Sequence, residues 1–125
     1  MTKSAMTVFF FGLYLFLLAI TLIVAPNTLL GLFRMPPTSE VWIRVVGMLT
    51  ACIGVYYVVA ARANVLPLLE ASVRVRLGVA ACLGAFVALG WAPWTLALFG
   101  GADVAGALWT WLTIRSEVGP RAKEA

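Results

Sequence analysis

Gly100-Gly101-Ala102-Asp103-Val104-Ala105-Gly106-Ala107-Leu108-Trp109-Thr110-Trp111-Leu112-Thr113-Ile114-Arg115 decides how this chain is read. The run is apolar, reads as a membrane-spanning helix, and carries one carboxylate, Asp103. A charge at bilayer depth costs roughly 2.5–3.5 kcal/mol on insertion scales, so Asp103 needs a partner, a proton or a task. At helical spacing Asp103, Gly106, Ala107, Thr110 and Thr113 share one face. That small, polar face is expected to point inward.

The rest of the composition agrees with a lipid solvent. Of 125 residues, 63% are hydrophobic and 11% charged, against about 45–50% and about 25% in soluble domains. A soluble fold of this size has too little interior for so much apolar surface. The expectation is an all-α fold, a four-transmembrane-helix bundle forming a single integral membrane domain over 1–125. The chain has no His, which removes the commonest general base and metal ligand. Cys52 and Cys82 stand apart with no CxxC, and read as small hydrophobes within helices. No metal, cofactor or catalytic set is expected. The net charge of +4 comes from residues that flank spans. It is a topology signal and argues for no nucleic-acid partner.

Working outward, the spans are expected at about 5–25, 40–62, 73–91 and 94–114. The first has no charge from Ala5 to Ala25, enough to cross a core of about 30 Å at about 1.5 Å per residue. Its apolar part is too long for a signal peptide, and Pro26 sits where cleavage would fall. Phe9, Phe10, Phe11, Tyr14 and Phe16 are expected to offer it a broad lipid-facing surface. A short interfacial helix of Leu29, Leu30, Leu32 and Phe33 follows, capped by Asn27 or Thr28 and stopped by Pro36-Pro37. Thr38 or Ser39 is the expected cap of the second span, with Trp42 at the interface. Arg44, Gly47, Ala51, Gly54, Val58 and Ala61 then share a face that lets another backbone approach. In the third span Gly78, Ala81, Ala85 and Ala88 form the corresponding stripe, with Gly84 beside it. Leu68 to Arg76 is semi-polar and is expected to begin that helix outside the hydrocarbon. Residues 116–125 are expected to form a flexible cytoplasmic tail.

Orientation follows from the basic residues. Four spans place Lys3, Arg62, Arg74, Arg76, Arg115, Arg121 and Lys123 on one side, and Arg34 and Arg44 on the other. Seven against two predicts both termini in the cytoplasm. The second and fourth spans then run parallel. Arg44 lies about 6 Å and Asp103 about 13 Å along them, a difference an extended Arg side chain nearly covers. The expected polar site is an Arg44–Asp103 pair in the outer leaflet, with Thr110, Tyr56 and Tyr57 as neighbours. Such a pair either fixes helix register or serves a proton or ligand pathway.

Trp42-Ile43-Arg44-Val45-Val46-Gly47, Gly54-Val55-Tyr56-Tyr57, Ala60-Ala61-Arg62 and Asp103-Val104-Ala105-Gly106-Ala107-Leu108-Trp109-Thr110 carry a family likeness. Together they resemble a set of small bacterial four-helix integral inner-membrane proteins, similar in size and layout to DoxX-like proteins. The resemblance implies a four-helix architecture in the bacterial cell inner membrane and no particular activity.

Three functions fit. The first is a non-enzymatic accessory, assembly or hydrophobic-ligand-binding component. It would work in the lipid bilayer, as a homo-oligomer or with a membrane-protein partner, through its small-residue faces. The second is a small transporter using Asp103 as a proton- or cation-coupling carboxylate. The third is a membrane enzyme, for which one Asp, one Arg and two Tyr are thin support. A closed pocket lined by Tyr56, Tyr57 and Met48 would favour ligand binding. A water-accessible cavity reaching Asp103 would favour transport.

Overall fold

The computed structural model describes residues 2–124, with side chains described as far as Glu117. Its helices are α1 (Lys3–Val24), α2 (Pro26–Leu32), α3 (Trp42–Arg62), α4 (Leu66–Ala88) and α5 (Ala97–Glu124), with a 3-10 turn at Trp94–Leu96 leading into α5. Among the described residues there is no strand. Four helices are long and apolar enough to cross a membrane. The fold is all-α with four potential spans, as expected, and this is the layout of a multi-pass membrane protein.

Short local devices set the boundaries. Thr2 caps α1 by accepting the Ala5 N–H. Pro26 follows at the first position of α2, where its missing N–H costs no helical bond. Neither Asn27 nor Thr28 caps α2, whose cap residue is Ala25. Asn27 instead accepts the backbone N–H of Thr38 at 2.9 Å and ties the loop down. Thr38 and Ser39 do not cap α3 either, because its helical turn begins only at Val41. Leu89 closes α4, and Gly90 supplies the left-handed φ of 75° after it.

Two close pairs build the bundle. Helix α1 packs along α3, and α4 along α5, while α1 also touches α5. The α1–α3 contact is made by glycines. A Cβ at Gly47 would lie 2.8 Å from Ile23 Cγ1 and 3.1 Å from the Ala19 carbonyl oxygen. A Cβ at Gly12 would lie 3.0 Å from Val58 Cγ2. Gly47, Gly54 and Ala61 are buried, so that stripe of α3 faces inward as expected.

The stripe on α4 does not. Gly78, Ala81, Gly84, Ala85 and Ala88 all face outward, and nothing lies within 4 Å of a Cβ at Gly78 or Gly84. The buried face of α4 is Leu69, Ser72, Val73 and Arg76. Helix α4 also begins at Leu66, earlier than the semi-polar stretch suggested, so Arg76 lies about 15 Å along it. Cys52 and Cys82 are likewise exposed on the outside of the bundle. On α1, Phe10 faces outward, whereas Phe9 packs on the core and Phe11 covers Arg76.

The start of α1 and the part of α5 around Glu117 lie at one end of the bundle. There Ala5, Val8, Ala61, Leu69, Val73, Ala107 and Ile114 form the buried apolar cluster. Thr2 donates to the Asn64 side chain at 3.0 Å. The Ser4 N–H and hydroxyl donate to the two Glu117 carboxylate oxygens at 3.0 and 2.6 Å. Helix α5 runs through the expected tail as far as Glu124, and the side chains beyond Glu117 lie outside the described residues. At the other end α2 and its loop fold under the bundle. Phe33 stacks on Phe99 with ring centroids 4.2 Å apart, and the Thr95 hydroxyl donates to the Phe33 carbonyl.

Candidate functional site

Arg76 is the most deeply buried charge among the described residues, at 2% exposure. Its Nε donates to the Ser72 carbonyl at 3.2 Å. Its Nη2 donates to the hydroxyls of Ser72 at 3.2 Å and Thr110 at 2.8 Å. The guanidinium lies 4.6 Å from the centre of the Phe11 ring, within cation–π range. A Cβ at Gly106 would lie 3.1 Å from Nη1 and 3.2 Å from the Phe11 ring, so glycine lets the guanidinium and ring approach α5 closely.

Each hydroxyl has one proton, and this fixes the direction of the network. Thr7 spends its proton on the Ser4 carbonyl at 2.6 Å. Thr110 therefore donates in the 2.7 Å contact between the two threonine hydroxyls, in preference to the Gly106 carbonyl at 3.0 Å, and accepts from Arg76. Ser72 donates to the Leu69 carbonyl at 2.6 Å and also accepts from Arg76. The network ties α4 to α5 and α5 to α1. Arg76 Nη1 has no hydrogen-bond partner among the described residues.

Beside this network opens a cavity of about 390 Å³. Leu15, Leu18 and Leu22 of α1 form one wall, with Ile43, Val46 and Ile53 of α3. Val75, Val79 and Leu83 of α4 face them, and Leu29, Leu30, Phe33, Met35, Leu96 and Phe99 close the α2 end. Against this apolar lining stand Tyr14, Tyr57, Arg76 and Asp103. Neither Tyr14, Tyr57 nor Asp103 makes a side-chain hydrogen bond among the described residues. A mostly apolar cavity with a few converging polar groups is the usual form of a small-molecule site, at about 300–1,000 Å³.

Several expected site residues fall elsewhere. Arg44 does not pair with Asp103. It is exposed, and its Nη1 donates to the Ile23 carbonyl at the end of α1. Matching depth along two helices is not enough for an ion pair here, because the freed carbonyls of a helix C-terminus offer the cation a nearer acceptor. Tyr56 faces outward at 73% exposure and Met48 at 52%, so neither lines the cavity. Asp103, Thr110 and Tyr57 do gather at one place. Arg76, Ser72, Thr7 and Tyr14 complete it and were missed. Leu69, Ser72, Val73 and Arg76 share a helical face, a signal that groups them but does not by itself say that the face is buried.

Four potential spans with a largely apolar cavity between them define the class as far as the fold goes: a polytopic helical bundle. Compared with protein-family models, curated proteins and solved structures, the chain finds no match.

Proposed function

We propose that this chain is a non-enzymatic membrane protein of the bacterial inner membrane that holds a hydrophobic small molecule between its helices. The observation that carries this reading is the apolar cavity with Asp103 and the tyrosines Tyr14 and Tyr57 in its wall. Arg76, with Ser72, Thr110 and Thr7, serves as the positioning network that fixes this wall. The resemblance to DoxX-like proteins is part of the same proposal and adds the four-helix inner-membrane setting. Val79→Trp tests the reading, because Val79 lines the cavity and a large ring turned into it would fill it. Full-length protein purified in mild detergent should retain a co-purifying apolar molecule, and V79W should retain little. Equal retention by both, seen by mass spectrometry of extracts, would sink the reading.

Orientation belongs to the same proposal. The start of α1 and Glu117 of α5 share one end of the bundle, and that end is read as cytoplasmic from its basic residues. A C-terminal reporter that is active only in the cytoplasm checks it, and a silent reporter with well-inserted protein reverses the assignment. The outward stripe of α4 suits a second copy or a membrane-protein partner. Cross-linking through Cys82, exposed on that helix, should give a dimer if the partner is a second copy, and no cross-linked dimer if it is not.

A second reading, transport coupled to Asp103, draws on one observation. The carboxylate faces the cavity and is not sealed in an ion pair with Arg44. Proteoliposomes with an imposed proton gradient separate the two. Accumulation of a hydrophobic cation that is lost in Asp103→Asn would favour transport.

A further inference from the structure

The head of the bound molecule can be deduced from what the cavity leaves unsatisfied, provided the cavity holds a ligand as proposed above. Its walls carry one acid, Asp103, and one base, Arg76. The base is largely held: Ser72 and Thr110 accept from its Nε and Nη2 and the Phe11 ring covers it, so that only Nη1 lacks a partner among the described residues. Asp103 has no such commitment. It accepts no hydrogen bond among the described residues, and the hydroxyls of Tyr14 and Tyr57 beside it also have no partner there.

We infer that the ligand is a neutral amphiphile, an apolar chain or ring system with an alcohol or amide head that donates to Asp103 and accepts from Tyr14 or Tyr57. Each alternative head meets a specific penalty. A carboxylate or phosphate adds a second negative charge beside Asp103, whose single balancing cation is Arg76. An ammonium adds a second positive charge beside Arg76. An ester or ether accepts but cannot donate, and buries Asp103 without a hydrogen bond. An alcohol or amide leaves the acid and base in balance, and it satisfies the carboxylate and a tyrosine together.

The test uses one chain with five heads: dodecanol, dodecanamide, methyl dodecanoate, dodecanoate and dodecylamine, each radiolabelled. Binding is measured to full-length protein immobilised in detergent micelles, with empty micelles as the blank. Dodecanol and dodecanamide should bind about tenfold more tightly than the other three, the worth of one hydrogen bond to a charged group. In Asp103→Asn the deficit of dodecanoate should shrink to about threefold or less, because the repelling charge is gone. Val79→Trp should weaken all five alike. Five equal affinities, or tightest binding by dodecanoate or dodecylamine, overturn the head assignment and leave the cavity reading standing. Binding that V79W does not change overturns the cavity reading and this inference with it.

Discussion

Arg76 shows how a single side chain is made tolerable in an apolar interior. Three of its donor contacts go to Ser72 and Thr110, and its flat face meets Phe11. Removing one acceptor of a buried charge is costlier than the mean value of a hydrogen bond, because the charge stays behind. Thr110→Val keeps the volume and deletes the hydroxyl that accepts from Nη2 and donates to Thr7. It should destabilise the bundle by about 1–3 kcal/mol. Thr110→Ser should recover most of that. Thermal unfolding of both variants in detergent checks the pair, and equal melting of T110V and wild type would show that the network contributes nothing. The inward place of Thr110 was legible in its helical face. The depth of Arg76 was not, because a basic residue near a span end reads equally well as a surface anchor. Only the neighbours on α1 and α5 show which way it turns.

At the scale of the helix, α3 and α4 behave differently although both carry small residues at helical spacing. One stripe is buried and the other faces out. In water the hydrophobic effect would separate an inner from an outer face. In lipid both faces are apolar, so the pattern alone does not say which one meets a neighbour. The two stripes therefore predict opposite responses to the same substitution. At Gly47 an added methyl meets Ile23, Leu22 and the Ala19 carbonyl at 2.8, 3.0 and 3.1 Å. Overpacking of this kind costs about 1–3 kcal/mol. At Gly78 the methyl meets nothing, and helix propensity should return up to about 1 kcal/mol. Gly47→Ala should therefore lower the melting temperature in detergent, and Gly78→Ala should hold or raise it. If G78A lowers it as much as G47A does, the outward face of α4 is covered by another protein. That result would support the oligomer or partner described above.

For the whole molecule, the four spans were readable because a long, predominantly apolar run is what a bilayer crossing requires and what a water-soluble surface rarely tolerates. The arrangement of those spans was not. Helices α3 and α4 follow one another through the short turn Ala63–Asn64–Val65, and sequence neighbours usually pack side by side. Here they touch only sparsely, and the close pairs are α1 with α3 and α4 with α5. The cavity fills the gap that this leaves. Ile53 on α3 and Val75 and Val79 on α4 line the cavity and are also exposed to the outside. A mouth between α3 and α4 would face sideways, where the hydrocarbon of a bilayer would be, while α2 with Phe33 on Phe99 lies across the other end. A ligand entering from water would have to pass α2. One entering from lipid passes between α3 and α4 and moves nothing in the buried cluster around Leu69. The lateral route predicts that tethering α3 to α4 traps a bound molecule. Ile53→Cys and Val79→Cys, in a background with Cys52→Ser and Cys82→Ser, can be joined by a flexible thiol cross-linker. Exchange of labelled dodecanol should slow about tenfold or more after cross-linking, the effect of raising the exit barrier by about 1.4 kcal/mol. The melting temperature should not fall, because neither side chain belongs to the buried cluster. Exchange that is unchanged by the tether but quickened by Phe33→Ala would place the entrance under α2 instead.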